Sequence, residues 1–502
     1  MRRLFTVRNT AAISVALALA LWRFGATVAD PDLWGHVRFG IDKIDAGAYL
    51  GVDAYSYLTA GSTWFNHEWL AEVIMGAVYL VFGGAGLVWL KAFLAGLLVV
   101  ILHGWLLEER VEPLRSIFVM ALMVILLTPT LGTLRPQVFT TLLMTALLLA
   151  IVRYQRQPGN RVIWLMPVLF VVWVNLHGGA LSGVAVLWVW ALTYAVFERD
   201  HPTRFHPILW SLASTLALLA NPNGAKHVLF LLKTTTVSRP EIVEWQPIDL
   251  TSFVGAVYAV VAVLVLLMLI RRRSDAVWPI CLPLVGLALA PLLASRHLQL
   301  FVPAVVILGT PYLLPLLNLG TRNELEPVGW SSRSAIPAAL IVLAGGVFSI
   351  ARVAGAAGCL SIDATQFEFP VRGVAALAAT SVTGNAVVPF NWGEYVIWHL
   401  GPEVQVSGDG RRETVYSDVA YQANLDFADG VGDWDRILGM APTDLVIQRT
   451  GTPGDVLMDG KSDWALVYRD PVTSIFQPAG RTVQLTGASD VPADGDGVCF
   501  PG

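Results

Sequence analysis

ADPDLWGHVRFG (residues 29 to 40) and DAYSYLTAGSTWFNHEWLAE (residues 53 to 72) lie between two strongly apolar runs, and the segment that holds them decides how the chain is read. Within it stand Asp30, Asp32, His36, Asp53, His67, Glu68 and Glu72. Carboxylates and imidazoles are costly to hold beside hydrocarbon, so a cluster of them next to a bilayer is read by default as a site.

The flanks supply the bilayer. Of the 502 residues, 55% are hydrophobic and only 14% are charged, where soluble domains carry roughly 25%. The chain reads as a polytopic α-helical membrane protein. An apolar run over 9 to 28 follows the basic start MRRLFTVR, which puts the N-terminus in the cytoplasm and residues 29 to 68 outside. A signal peptide cut near Ala29 is the alternative, since Thr27-Val28-Ala29 passes as a cleavage site. The many apolar segments that follow favour an uncleaved anchor.

Loop charge orients the rest. Arg153, Arg156 and Arg161 mark one cytoplasmic loop and Arg271 to Arg273 another, and EERVEPLR (108 to 115) falls on the same side. That leaves one crossing between 68 and 108, so 67 to 82 is expected to be a helix on the outer surface and 87 to 107 a span, divided by Gly83-Gly84-Ala85-Gly86. Further spans are expected near 116 to 133, 136 to 152, 162 to 176, 180 to 197, 207 to 220, 251 to 270, 276 to 293, 297 to 317 and 334 to 352, with Arg322 and Arg333 on an inner loop. This makes about eleven transmembrane helices, some shorter than the roughly 20 residues a full crossing needs.

From residue 360 the texture becomes that of a soluble domain. Residues 360 to 502 hold 8 basic and 19 acidic residues, net −11, against +7 for 1 to 359. Short apolar runs at Asn385 to Phe390, Val404 to Ser407, Asp444 to Gln448, Ala465 to Arg469 and Thr473 to Gln477 read as strands, with helical patterns between the first few. A C-terminal α/β domain over 359 to 502 is expected beside a transmembrane domain over 1 to 358, with early βαβ crossovers and a late hairpin at Asp470-Pro471. Trp392, Trp398, Trp434 and Trp464 read as its core. Of the three cysteines, Cys281 falls in a span, whereas Cys359 and Cys499 bracket the acidic domain in an oxidising compartment and are candidates for a disulfide.

The outer ends of the spans carry a recurring set of polar residues: Arg135 and Gln137 in TLRPQ, Asn175 and His177 in NLHGG, Asn221 and Asn223 in NPNG, Glu244 in EWQP, and Arg296 and His297 in ASRHLQ. Taken singly, an arginine at a helix end snorkels to headgroups and HGG or NPNG is a turn. Five such stretches on the side of the 29 to 72 segment point to a shared purpose.

These stretches carry a resemblance. An N-terminal span, an outer loop opening with acidic residues, many further spans and a soluble C-terminal domain resemble the GT-C superfamily of integral-membrane glycosyltransferases. DPDLWGHVRFG, NHEWLAE, TLRPQVF, NLHGG, NPNG, EWQP and NWGEYVIWHL look similar to a bacterial GT-C-like family of little assigned chemistry. The resemblance implies an acidic catalytic base or metal ligand just after the first span, where Asp30 and Asp32 stand, and a second acidic residue, for which Asp53 or Glu68 is the candidate. It also implies a basic residue on the donor phosphate, Arg296 or Arg135. No WWD motif of the oligosaccharyltransferases is present, which leaves the acceptor open.

The chemistry these groups could support is glycosyl transfer from a polyprenyl-phosphate sugar; the resemblance implies the bacterial inner membrane, and loop charge an extracytoplasmic C-terminal domain. A carboxylate deprotonates the acceptor hydroxyl, with Asp30, Asp32 and Glu68 as catalytic candidates. An arginine or divalent ion neutralises the departing phosphate. Asp30 and Asp32 would face one side of an extended segment and so form a candidate site for Mg²⁺ or Mn²⁺. His36, Asp53, His67, Arg135, His177, Arg296 and His297 are the substrate-binding candidates, and all of Asp30, Asp32, His67, Glu68, Arg296 and His297 are expected on one cavity. The expected partners are the lipid donor, membrane lipid and a glycan, lipid or protein acceptor; the low charge gives no reason to expect nucleic acid. His67-Glu68 begins like the HExxH of zinc proteases, but Ala71 occupies the second histidine position. A transporter or flippase is the alternative class, disfavoured by the lack of obvious repeated halves and by how few ionisable groups lie near mid-membrane, Lys91 being the main exception.

Overall fold

The structure, a computed structural model, describes residues 7–237, 239–271, 277–316, 332–363, 366–480, 485, 492–493 and 497–502. Arg272, Arg273 and Arg322, used above to orient the loops, lie outside these residues. The chain divides into two compact units, Met1–Ala26 with Val88–Ala357, and Thr27–Leu87 with Gly358–Gly502. The sequence reading grouped residues 29 to 68 with the spans; by contact, residues 27 to 87 group with the C-terminal segment.

The first unit is a helical bundle. Its helices include Val7–Phe24, Pro113–Leu127, Gln137–Arg156, Met166–Leu176, Ala180–Phe197, His206–Ala217, Ala225–Thr234, Phe253–Arg271, Trp278–Leu289 and Ser332–Gly358. Leu298–Ala304 runs through a π-helical stretch, Val305–Gly309, into Thr310–Leu316. Several of these begin with proline in the first turn (Pro113, Pro167, Pro207, Pro279), where the missing N–H has no intrahelical partner to lose. Every apolar stretch expected to span holds a helix, and Ala225–Thr234 is an additional one. By length and composition, five helices among the described residues suffice to cross a membrane: Trp69–Glu108, Gln137–Arg156, Ala180–Phe197, Phe253–Arg271 and Ile336–Gly358. Shorter apolar helices occupy Pro113–Leu127, Arg161–Leu176 and Trp278–Leu292.

Lys91 is buried in this unit, and its ammonium donates to the carbonyls of Ala26, at 3.2 Å, and Gly132, at 2.5 Å. It ties the segment after Val7–Phe24 to the one between Pro113–Leu127 and Gln137–Arg156, which gives it a structural account. Cys281 is a buried free thiol. The long helix Trp69–Glu108 is broken at Gly83, whose φ of 61° and ψ of −156° only glycine adopts without strain. The expected division of 67 to 107 therefore falls at the Gly83 to Gly86 run.

The second unit is built on a five-stranded mixed sheet of order β2-β1-β3-β5-β4, where β1 is Gly384–Val387, β2 Val404–Val406, β3 Leu445–Arg449, β4 Trp464–Arg469 and β5 Thr473–Pro478. β1 is parallel to β2 and β3; β5 is antiparallel to β3 and β4. The β1 to β2 crossover is the helix Gly393–Leu400, so the early βαβ unit and the late hairpin both match the sequence pattern. At the hairpin, the Asp470 carboxylate accepts from the amides of Val472 and Thr473, the local bonding that suits Asp to turns. Trp392 is buried, and Trp434 and Trp464 pack on the apolar cluster that includes Val387, Phe427, Val446 and Phe476.

Against this sheet domain lies the helix Leu33–Ala46. Gly40 and Gly76 let it approach the helix that begins at Trp69 closely: a methyl at Gly40 would strike the Glu72 carbonyl, and one at Gly76 would meet the Gly40 backbone. Trp34, wholly buried, packs on Phe369, Tyr395 and Phe500 at centroid distances of 4.5, 5.1 and 5.2 Å. Its indole N–H donates to the Pro501 carbonyl at 2.8 Å. Cys359 and Cys499 form a disulfide, with Cα atoms 5.1 Å apart, and next to it Phe500 N donates to Leu360 O.

Candidate functional site

Four segments of the second unit converge: DPDLWGH at the start of Leu33–Ala46, NHEW at 66 to 69, NWGE at 391 to 394, and SGDGRRE at 407 to 413. Glycine is what lets them meet. A methyl on Gly35 would collide with the Glu394 carboxylate, one on Gly393 with the Gly408 carbonyl and Asp409, and one on Gly410 with Asp32 Oδ1 and Glu394 Oε1. The glycines of DLWG, NWGE and SGDG thus mark three backbones packed against acidic side chains.

The charged residues fall into two layers. The inner layer is buried and tied to fixed partners. Arg411 donates to Asp53 Oδ1 at 2.6 Å and, through two nitrogens, to Asp409 at 2.8 and 2.7 Å, with Tyr416 Oη donating to Asp409 at 2.6 Å. Its guanidinium lies over the rings of Phe39, Tyr55 and Trp64 at 5.1, 5.0 and 4.9 Å. Asp53 also accepts from Thr59 Oγ1 and the Tyr55 amide. Nearby, Glu72 Oε2 accepts from Lys43 Nζ at 2.7 Å and Asn66 Nδ2 at 2.6 Å. Burial pulls the Lys43 ammonium down from its usual range against the opposing pull of Glu72.

The outer layer is partly exposed. Asp32 begins the helix, His36 follows one turn later, and Glu68 stands between two imidazoles: His36 Nδ1 to Glu68 Oε2 is 3.9 Å and His67 Nε2 to Glu68 Oε1 is 3.5 Å. His36 Nδ1 also lies 3.8 Å from Glu72 Oε1. Burial alone would lower the His36 pKa, but contact with Glu72 and the charges of Glu68, Glu72 and Asp32 outweigh it and push it up to about 8. His67 moves the same way: burial opposes, and Glu68, Glu413 and Glu72 prevail. Exposure separates the candidates further, since Asp30 is 1% exposed, whereas Asp32, His36, His67 and Glu68 are all half-buried. Four residues expected to share a site therefore lie together, while Asp53 is in the buried ionic layer.

Among the described residues no three His, Cys, Asp or Glu side chains are placed to hold a metal ion together. Asp30 is buried and Asp32 stands at the start of the helix Leu33–Ala46.

The remaining candidates belong to the first unit. Arg135 Nη1 and Arg296 Nη1 lie 3.7 and 3.5 Å from the two oxygens of Glu244, which joins TLRPQ, EWQP and ASRH. Arg296 and Arg239 both lie over the Trp245 ring, at 4.4 and 3.9 Å. Ser295 fixes the junction, its amide donating to Gln246 O and its hydroxyl to Glu244 O. His177 and His297 are helix-end ties: His177 Nδ1 accepts from the Gly179 amide and contacts Thr140 Oγ1, both at 2.9 Å, and His297 Nδ1 lies 2.9 Å from Ala290 O.

Glu394, Asp409 and Arg411 were not among the candidates. In the sequence NWGE enters only through a resemblance, and the local signal for SGDGRRE is its Gly-Asp-Gly followed by two arginines, between a strand and a helix.

No protein-family model matches the chain, and no curated protein matches it. Solved structures do. The apo oligosaccharyltransferase of Archaeoglobus fulgidus is similar over 96% of this chain and 75% of its own, at 11% identity and a TM-score of 0.56. The same organism's AglB in complex with an inhibitory peptide and a dolichol-phosphate gives 12% identity, the same coverage and a TM-score of 0.56. ArnT from Cupriavidus metallidurans bound to undecaprenyl phosphate is 12% identical over 92% of this chain and 97% of its own, with a TM-score of 0.51. The chain has the GT-C fold.

Proposed function

We propose that this protein is a membrane glycosyltransferase that moves a sugar from a polyprenyl-phosphate donor to an acceptor hydroxyl on the extracytoplasmic side of the cell membrane. The observation that carries this reading is the half-exposed cluster Asp32, His36, His67 and Glu68 in a chain of GT-C fold. Two proteins of that fold have been seen with dolichol-phosphate and undecaprenyl phosphate, which supports a lipid-phosphate donor.

In this reading Asp32, rather than the buried Asp30, takes the acceptor proton as the acceptor oxygen forms its bond to the sugar C1. The bond from C1 to the phosphate oxygen breaks, and the lipid phosphate leaves with its electron pair. Glu68, held between His36 and His67, binds the acceptor. Arg296 and Arg135, already gathered on Glu244, hold the phosphate. His177, His297 and Asp53 have supporting roles through the ties described above.

Residues 27 to 87 and 358 to 502 form one compact unit, which supports placing both on the same side of the membrane. Ser62 and Ser462 are exposed; cysteines put there should both react with an impermeant reagent in intact cells, and protection of either would refute that placement. The donor is tested with undecaprenyl phosphate on the purified full chain. Arg296→Ala should weaken its binding by roughly 10- to 100-fold, as expected for losing a charge-assisted contact, and unchanged binding would remove the clamp.

A further inference from the structure

The helix Leu33–Ala46 poses a conformational choice for Asp32. Asp32 occupies the N-cap position with a helical backbone, φ −84° and ψ −9°, whereas an N-cap aspartate that accepts from the amide of the second or third helical residue ordinarily has an extended one. The third is Gly35. Its N–H does not go to Asp32, whose side chain makes no capping bond; it donates instead to Glu394 Oε2 at 3.0 Å, from 359 residues downstream. Glu394 is buried and reaches this position only because residue 35 has no side chain to obstruct it.

We infer that Glu394 is a positioning residue: by capping the helix in place of Asp32, it leaves the Asp32 carboxylate turned toward the Gly410 edge, where its Oδ1 and Glu394 Oε1 border the same backbone. Without Glu394, the orphan amide of Gly35 draws Asp32 into the cap and away from substrate. The glycine at 410 keeps that edge open, since a methyl there would press on both carboxylates.

The surroundings favour a protonated Glu394. Burial is the main cause, and the neighbouring charges of Asp32, Asp409 and Glu72 outweigh Arg411, holding its pKa well above the usual carboxylate range. A neutral carboxyl still accepts from Gly35 through its carbonyl oxygen, so glutamine is its near-isosteric replacement.

The inference rests on Asp32 acting as base in the proposed transfer, and the experiment separates the two. In the purified full chain, thermal stability is measured for Asp32→Ala, Glu394→Ala and the double variant. In the Glu394→Ala background, where Asp32 would take over the cap, Asp32→Ala should lower Tm by ~2–4 °C more than it does with Glu394 present, the size of a lost cap. Absence of this coupling overturns the cap exchange, whatever the transfer assay shows.

Transfer from a polyprenyl-phosphate-linked sugar is then compared across variants. Glu394→Ala should lose roughly 100-fold, the scale of an ångström-size displacement of a reacting group, and Glu394→Gln should restore activity to near wild type with a changed pH profile. Equal loss in Glu394→Gln and Glu394→Ala would overturn positioning, because the charge or proton of Glu394 would then be used directly. Undiminished transfer by Asp32→Asn would instead sink the base assignment and leave the stability cycle to decide the cap.

Discussion

The second unit contains two clusters of ionisable residues with opposite fates. Arg411, Asp53 and Asp409 are buried, joined at 2.6 to 2.8 Å and enclosed by aromatic rings. Asp32, His36, Glu68 and His67, on the same helix and its neighbours, are half-buried and separated by 3.5 to 3.9 Å where they meet. In the first cluster each charge is matched by a fixed partner, so its removal leaves an uncompensated ion in a dry interior. In the second the surrounding carboxylates hold the His36 and His67 imidazoles more basic than usual, against the effect of burial. Burial and pairing separate the two clusters.

The contrast is open to direct attack. Its strongest test is Asp32→Asn, which keeps the shape and removes the charge. Transfer should fall by roughly 10²- to 10⁴-fold, the usual cost of losing a general base, with Tm little changed. Arg411→Ala should do the reverse and act on folding: stranding the carboxylates of Asp53 and Asp409 should cost about 3–5 kcal/mol of stability, read as a lower Tm or loss of folded protein. A stable Arg411→Ala protein would erase the distinction between the layers.

Next in size is the disulfide. Cys359 and Cys499 close a loop with a sequence separation of 140, and replacing both with serine should lower stability by about 2–5 kcal/mol. Since the bridge adjoins the segment carrying Phe500 and Pro501, which pack on Trp34, the double variant should also loosen the start of the Asp32 helix, visible as faster hydrogen exchange in residues 33 to 40.

The smallest effect belongs to His36. Its folded pKa is raised from 6.5 to about 8, so the folded state holds the proton more tightly than the unfolded chain. The resulting stability is complete below pH 6.5 and is lost as pH rises through about 8. His36→Gln should flatten the fall in Tm across that window, and an unchanged slope would show that His36 is not the group responsible.

Much of the architecture was legible from the chain. Apolar runs marked the helices, Gly83 to Gly86 marked the break in Trp69–Glu108, and alternating short apolar runs marked all five strands, because these features depend on local periodicity and backbone freedom. The gathering of Arg135, Glu244 and Arg296 was foreshadowed by three polar stretches at helix ends. Local pattern also suffices to expect acid and imidazole chemistry at Asp32, His36, His67 and Glu68.

The sequence could not distinguish Asp53 from Asp32. Both are loop aspartates followed by aromatic residues, and only the arrival of Arg411, 358 positions away, buries one and not the other. Nor could it single out Glu394, which sits in the first turn of the helix Gly393–Leu400 and looks like a solvated residue until its carboxylate meets the Gly35 amide. The sequence by itself determined the helices, strands and chemically capable residues, since propensity and hydrophobic period act over a few residues. Tertiary structure alone decided which charges are framework and which remain accessible, because desolvation and pairing depend on groups brought together from more than 350 residues apart.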